Sequence, residues 1–347
     1  MKQYEIPALK IIGSNQIEQW LDTHPKRVFE LVRNVYVTHA EGKTVNPDSY
    51  FLRFPDSDKN RIIALPASIE DDDPIAGIKW IASFPENVAH GIDRASALLI
   101  LNDRKTGYPL ACFEGSAISA ARTAAAAAVG AQYLHSTPGK VKQLGIIGCG
   151  PIAYRTVALL VQLGWDIGTL RLMDLSVERA NLFRHKCQKF GINSVISDVA
   201  ETIKTSDMMV FATSAVTPSI DNLEWFSHAP TVLHMSLRDL APKIVLSSQN
   251  VADDVKHCLK ANTSLDLAYQ QTGDKCFIDG DIASVIGGRI VPDASRPRIF
   301  SPFGMGILDL AVAREMVKTI SDKDTVVVRD FFPTPYAASI PTANLTV

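Results

Sequence analysis

An apolar run, Leu144-Gly145-Ile146-Ile147, leads directly into Gly148-Cys149-Gly150-Pro151-Ile152-Ala153. Each position has a physical use. Gly148 permits a tight turn, Gly150 lets backbone N–H groups approach a pyrophosphate, and Ala153 is small enough for the following helix to pack on the preceding strand. Pro151 and Ile152 open that helix, whose unpaired N–H groups and positive dipole end attract phosphate. Asp174 follows 21 residues beyond Ala153, at the end of the next expected strand. A carboxylate there accepts hydrogen bonds from the adenosine ribose hydroxyls and repels a 2′-phosphate, which predicts NAD as cofactor rather than NADP.

The remaining chemistry must come from charged residues set among apolar ones. Lys79 interrupts an otherwise apolar strand, 75–82, with the parity of Gly77 and Ile81 and opposite to Ile78 and Trp80. A lysine so placed lies either on a solvated face or in a polar pocket with a partner. Arg53, in YFLRF, carries the same two readings. Arg122 is placed near the start of an alanine-rich helix, where positive charge opposes the dipole and suggests an anion opposite it. Asp239 follows the strand TVLHMS, past a strand carboxyl end where the ligand crevice of a doubly wound sheet opens. It is either a general acid/base or a loop aspartate paired with Arg238. His234 is read as a core or tautomer-locked histidine, Asp71-Asp72-Asp73 as a solvated turn, and Cys149 as a thiol without an activating base.

Two kinds of region must position these groups. Residues 17–39 have apolar positions at helical spacing, followed by short strands at 50–54, 61–69, 75–83, 97–102 and 109–114 with turn residues between them. From 142 onward strands and helices alternate (143–147, 151–163, 169–174, 176–190, 207–213, 231–235), the pattern of a parallel sheet with right-handed crossovers. Residues 306–320 form a last amphipathic helix. The expected fold is α/β: a Rossmann-like doubly wound parallel sheet at 126–309, plus a discontinuous α+β domain for substrate and dimerisation at 1–125 and 310–347.

Composition bounds the rest. The 347 residues contain 35 Lys+Arg and 37 Asp+Glu, a net charge of −2 without a basic run, which excludes nucleic-acid and polybasic membrane partners. No stretch reads as a membrane span or signal peptide, and five scattered cysteines fit a reducing, cytoplasmic compartment. No metal site is legible.

The motifs Gly77-Ile-Lys-Trp80, Ile100-Leu-Asn-Asp103 with Thr106-Gly-Tyr-Pro109, Arg122-Thr-Ala-Ala125 and the glycine turn, with Asp239 and Asp309 following, together resemble the ornithine cyclodeaminase/mu-crystallin family. The resemblance implies a homodimeric NAD-dependent enzyme acting on a small amino-acid substrate. It implies that Arg53, Lys79 and Arg122 hold the substrate carboxylate, with Lys79 near the reacting carbon and Asp239 as acid/base. It also implies that Arg122, Thr123, Thr213 and Asp309 join the glycine turn and Asp174 around the cofactor. Arg61-Ile-Ile-Ala-Leu-Pro66, Arg94-Ala-Ser96 and Glu114-Gly-Ser-Ala-Ile-Ser119 look nearest to one subgroup. Its members oxidise N-(2-amino-2-carboxyethyl)-L-glutamate to L-2,3-diaminopropionate and 2-oxoglutarate in siderophore and peptide-antibiotic precursor synthesis. Phe84 in Phe84-Pro-Glu-Asn87 replaces the histidine of the cyclodeaminase pattern. Ornithine cyclodeaminase, alanine dehydrogenase, ketimine reductase and a non-catalytic crystallin-like protein are the alternatives.

Overall fold

Two eight-stranded sheets organise the chain, and their different surroundings account for their different sequence patterns. The structure is a computed structural model, described here for residues 5–321, 323 and 325–334, so that the expected domain segment 335–347 lies outside the described residues. The first sheet has the spatial order Val326–Val328, Leu9–Ile12, Pro109–Glu114, Ala95–Asp103, Ile75–Ser83, Ser57–Ile69, Thr44–Val45, with Tyr50–Phe54 also paired to Ser57–Ile69. Its pairs are antiparallel except Leu9–Ile12 with Pro109–Glu114. One face is covered by helices and the other is open, which yields the alternating pattern of a half-buried sheet.

The second sheet is parallel throughout, in the order Asn193–Ile196, Asp166–Met173, Lys140–Ile147, Met208–Phe211, Thr231–His234, Arg298–Ser301, Gln249–Ala252, Ile278–Asp281. Met208–Phe211 and Thr231–His234 are buried at every position, as parallel strands covered on both faces must be. The strand order reverses between Lys140–Ile147 and Met208–Phe211, which opens a crevice at their carboxyl ends.

The alanine-rich helix Gly115–Leu134 lies between the sheets and touches strands of both. Alanine loses no side-chain entropy here, and its short side chain lets the helix axis approach both layers. The C-terminal helix Gly306–Thr319 returns to the first sheet and packs on Ser57–Ile69 and Ile75–Ser83. The expected boundaries at 125/126 and 309/310 therefore both fall inside helices, the first of which touches both sheets.

Three expectations change. Residues 17–39 are not one helix but two, Ser14–Thr23 and Pro25–Ala40, because Pro25 lacks an N–H and its ring disfavours helical geometry at His24. The alanine-rich helix starts at Gly115, capped by Glu114, whose carboxylate accepts from the Ser116 and Ala117 amides at 2.7 and 3.0 Å. Arg122 thus sits two turns into the helix, and the dipole argument for it does not apply. The Asp71–Asp73 turn is not merely solvated: Asp71 takes a bidentate pair from Arg314 (2.6 and 2.9 Å), and Asp73 pairs with Lys318, fixing the C-terminal helix. The last three strands of the parallel sheet, short and bounded by polar residues, gave no clear signal beforehand.

Candidate active site

Lys79 belongs to the strand Ile75–Ser83, where alternate residues face opposite sides. Trp80 is 42% exposed while Lys79 is 2% exposed, so of its two readings the polar pocket is the one observed. Its Nζ donates to Asp309 Oδ2 at 2.7 Å and to Ser119 Oγ at 3.1 Å. Arg122, on the alanine-rich helix, places Nε 3.4 Å from both oxygens of the same carboxylate and Nη2 3.4 Å from Ser119 Oγ. Gly304 has φ +93°, and a Cβ there would lie 2.8 Å from Arg122 Nη1, so only glycine lets the guanidinium rest against this backbone. Asp253 holds the loop by accepting from the Phe303 and Gly304 amides at 2.8 and 2.7 Å.

Two cations therefore share one fully buried carboxylate, leaving one positive charge in excess. One ammonium hydrogen of Lys79 and the Nη1 hydrogens of Arg122 have no acceptor among the described residues. Free donors with a surplus positive charge have the chemistry to receive a carboxylate. Burial, helped by the nearby charge of Arg122 and opposed by Asp309, brings the Lys79 ammonium down to about 8.

The second carboxylate has different neighbours. Asp239, 2% exposed, accepts from Thr213 Oγ1 at one oxygen and from Ser236 Oγ at the other, which also lies 3.1 Å from His234 Nε2. Arg238 does not pair with it; both its Nε and Nη2 donate to the Ala261 carbonyl (3.2 and 2.9 Å). Burial by itself would raise the Asp239 carboxyl, but the donors from His234, Ser236 and Thr213 outweigh it and hold the group below the usual carboxylate range. With Nε2–H donating to Asp239, His234 Nδ1 is buried without a partner. Leu237 has φ +68°, a left-handed conformation that costs about 1 kcal/mol or more and is met chiefly where a site demands it.

Thr213 links this carboxylate to the glycine turn. Gly148 has φ +92°, and a Cβ there would stand 2.6 Å from the Ala212 carbonyl and 3.0 Å from Thr213 Cα. Gly150 caps the helix Pro151–Gln162 with Pro151 in its first turn, and Ala153 is fully buried against the strand. Asp174 directly follows Asp166–Met173; its Oδ2 accepts from the Cys149 amide at 2.8 Å and its Oδ1 from the Ser176 amide at 3.0 Å. A dinucleotide fits these residues: open backbone N–H groups at the turn, and a fixed carboxylate with lone pairs to spare at the ribose position. Cys149 is no nucleophile, since burial and the adjacent Asp174 raise its thiol to about 12.

The predicted residues thus form three groups. Lys79 and Arg122 meet around Asp309; Thr213 and Asp239 meet beside Gly148; and the turn that holds Gly148, Gly150, Pro151 and Ile152 meets Asp174 through the Cys149 amide. Thr123 turns its hydroxyl to the Ser119 carbonyl at 2.6 Å. Arg53 joins none of these contacts; it is exposed and lies over the Phe51 ring at 5.4 Å. Sequence reasoning missed Ser119, Ser236 and the Asp239 partnership of His234. The spacing of five between His234 and Asp239 was the available signal, and it was obscured by the apolar flanks of the histidine.

Known proteins resemble this chain over most of its length. The chain is 27% identical over 313 residues to N-((2S)-2-amino-2-carboxyethyl)-L-glutamate dehydrogenase of Staphylococcus aureus, covering 87% of this chain and 92% of that protein. Among solved structures, Thermococcus litoralis Δ1-pyrroline-2-carboxylate reductase in complex with NADH and L-proline superposes with a TM-score of 0.81 at 25% identity, over 89% of this chain and 96% of that one. An archaeal alanine dehydrogenase dimer with bound NAD gives 0.80 at 25% identity, over 90% and 95%. The profile of the ornithine cyclodeaminase/mu-crystallin family matches residues 16–324, and the chain belongs to that family.

Proposed function

We propose that this oxidoreductase cleaves N-(2-amino-2-carboxyethyl)-L-glutamate oxidatively, with NAD, to L-2,3-diaminopropionate and 2-oxoglutarate. The observation that carries the reading is the buried Lys79–Asp309–Arg122 cluster with its one uncompensated positive charge, a seat for the carboxylate next to the reacting carbon. Similarity to the Staphylococcus aureus dehydrogenase supports the choice of amine. Bound at Gly148–Ile152 and Asp174, NAD+ supplies a hydride acceptor for the substrate α-carbon. Loss of that hydride and of the amine proton makes the C–N bond an imine. Asp239, ionised at neutral pH, takes a proton from water as the oxygen adds to the imine carbon and passes it to the nitrogen, then carries the hydroxyl proton of the resulting carbinolamine to the same nitrogen as it departs. The C–N bond breaks, 2-oxoglutarate keeps the new C=O, diaminopropionate leaves as the amine, and one proton is released with NADH. Thr213, Ser236 and His234 fix the orientation of Asp239 throughout. Phe84, packed on the Phe54 ring at 5.7 Å, stands where the cyclodeaminase pattern has histidine, which argues against ornithine.

The same reading places the enzyme in the synthesis of siderophore or peptide-antibiotic precursors, in the cytoplasm, as a homodimer. Among the described residues no helix is long and apolar enough to cross a membrane, and all five cysteines are free. The open sheet face supports the dimer. Tyr50, Ala64, Trp80 and Leu98 form one cross-strand row on the face opposite Lys79, and Tyr50, Trp80 and Leu98 are all exposed. Such a patch fits a second copy; a monomer in sedimentation would remove this part.

Absorbance at the NADH band tests the reaction, with the proposed amine, ornithine and alanine run in parallel. NADH with 2-oxoglutarate and diaminopropionate from the first substrate is the expected result. Proline from ornithine without net NADH, or NADH from alanine alone, would overturn it.

A further inference from the structure

Four arginines, Arg53, Arg61, Arg94 and Arg238, gather at one end of the substrate-side sheet, none of them ion-paired among the described residues. Arg53 stands directly across from Arg61 on the neighbouring strand; Arg61 stands across from Ser83, and Ser83 across from Ala95, the residue after Arg94. Cross-strand partners share a face, and Ser83 has the parity of Lys79. Arg61 and Arg53 therefore project on the same face as Lys79, about 13 Å further along the strand at the usual rise per residue. Arg238 reaches the group from the other sheet, one residue before Asp239.

Elsewhere in the molecule arginines find acids: Arg27 with Glu315, Arg104 with Glu70, Arg155 with Glu18, Arg314 with Asp71. Here, among the described residues, none of the four has a carboxylate within ion-pair distance. Arg53 lies over the Phe51 ring, and Arg238 donates to the Ala261 carbonyl, with the charge of the adjacent Asp239 acting on it from beyond ion-pair distance. Like charges placed across a strand pair oppose folding. Partial burial first, and then the charges of Arg94, Arg238 and Arg53, press the Arg61 guanidinium below its ordinary 12.5. A chain of net charge −2 has no general excess of basic residues to explain this. The group has the composition of an anion site lacking its anion.

We propose that Arg61, Arg94, Arg53 and Arg238 form a second carboxylate site that receives the distal carboxylate of a substrate whose α-carboxylate lies at Lys79 and Arg122. The substrate class is then an extended amine with carboxylates at both ends, long enough to reach from one cation group to the other past Asp239. Alanine, proline and ornithine lack a second carboxylate and leave the arginines unused. This inference rests on the carboxylate seat assigned under Proposed function and adds the residues that select among substrates.

The test uses calorimetric titration of the NAD-loaded protein with 2-oxoglutarate and with pyruvate, which differ by the distal carboxylate. In the native chain 2-oxoglutarate binds more tightly. Arg61→Gln and, separately, the exposed Arg94→Gln are expected to shrink the margin between the two ligands by about 10- to 100-fold. Arg94→Gln guards against a folding defect at the half-buried Arg61. An unchanged margin in both variants, or equal binding of the two acids by the native chain, overturns the second site. The two readings fail separately. If the native chain makes NADH from the proposed amine while the variants keep its KM, the distal site is wrong and the reaction stands. If the amine is inert but the 2-oxoglutarate margin depends on Arg61 and Arg94, the reaction is wrong and the dicarboxylate site stands.

Discussion

Asp309 and Asp239 are both buried carboxylates, yet their surroundings differ in kind. Asp309 lies between two cations, Lys79 and Arg122, contributed by a strand and a helix far from it in sequence. Asp239 lies among Thr213, Ser236 and His234, none of which is a permanent cation. A carboxylate held between a lysine and an arginine serves as a counter-ion that sets the charge of a pocket. One held by hydroxyls and an imidazole has partners that can themselves give or accept a proton. Environment, not residue type, sets the two aspartates apart.

Replacing each aspartate by asparagine separates the two roles. Asp239→Asn keeps the size of the side chain and a carbonyl oxygen for Thr213 or Ser236, so the fold should hold and nucleotide affinity should be nearly unchanged. Turnover should fall by about 10²- to 10⁴-fold, the usual contribution of a positioned acid/base. Near-normal kcat in this variant would remove Asp239 from the chemistry. Asp309→Asn should behave in the reverse way. Two buried cations lose their counter-ion, and breaking such a group costs about 3–5 kcal/mol. The urea midpoint should drop accordingly; a stability equal to the native chain would show that the cluster is not the buried triad described.

The same contrast has a pH signature. Lys79 titrates at about 8 because burial and Arg122 disfavour its charged form more than Asp309 favours it. Below that pH the pocket carries one surplus positive charge; above it, Lys79 is neutral and Arg122 merely balances Asp309. Capture of the substrate carboxylate should therefore weaken as pH rises through 8, with kcat/KM falling by about tenfold per unit well beyond it. Asp239, held below the usual carboxylate range, stays ionised over this interval and adds no limb of its own there. Lys79→Arg should shift the alkaline limb upward, since guanidinium keeps its proton. An alkaline limb that stays near 8 in this variant belongs to another group.

How far the sequence reveals these pockets depends on how local they are. The glycine turn and Asp174 lie within one strand–helix–strand unit, where backbone geometry fixes spacing, and their residues could be named from spacing alone. Lys79 and Asp309 are 230 positions apart. Strand parity gave Lys79 a face but not a partner, and only the return of the C-terminal helix decides between solvent and pocket. The placement of Arg122 by a dipole argument failed because Glu114 caps the helix earlier than the alanine run suggests. His234 was hidden because a buried polar residue with apolar flanks looks the same in sequence whether or not a carboxylate waits at the next turn. The short strands Gln249–Ala252 and Arg298–Ser301 carry polar residues that are buried and held by carbonyls in three dimensions, such as Asn250, whose Nδ2 donates to the carbonyls of Val245 and Phe277.

A third carboxylate extends the comparison with the smallest effect. Asp174 is oriented by two backbone amides, Cys149 and Ser176, and its one charged neighbour is the exposed Arg179, 3.8 Å away. Its structural and electrostatic contributions can be separated, because Asp174→Asn retains an oxygen for the Cys149 amide while removing the negative charge. Repulsion of a 2′-phosphate depends on the charge, whereas the shape of the glycine turn depends on the oxygen. The variant should therefore keep most of its use of NAD and gain NADP, narrowing the ratio of kcat/KM between the cofactors by on the order of tenfold, with Arg179 released to face the phosphate. Asp174→Ala removes both contributions and should weaken both cofactors. If Asp174→Asn leaves the cofactor ratio where it was, discrimination lies in the shape of the turn, and the carboxylate serves only to hold Cys149 in place.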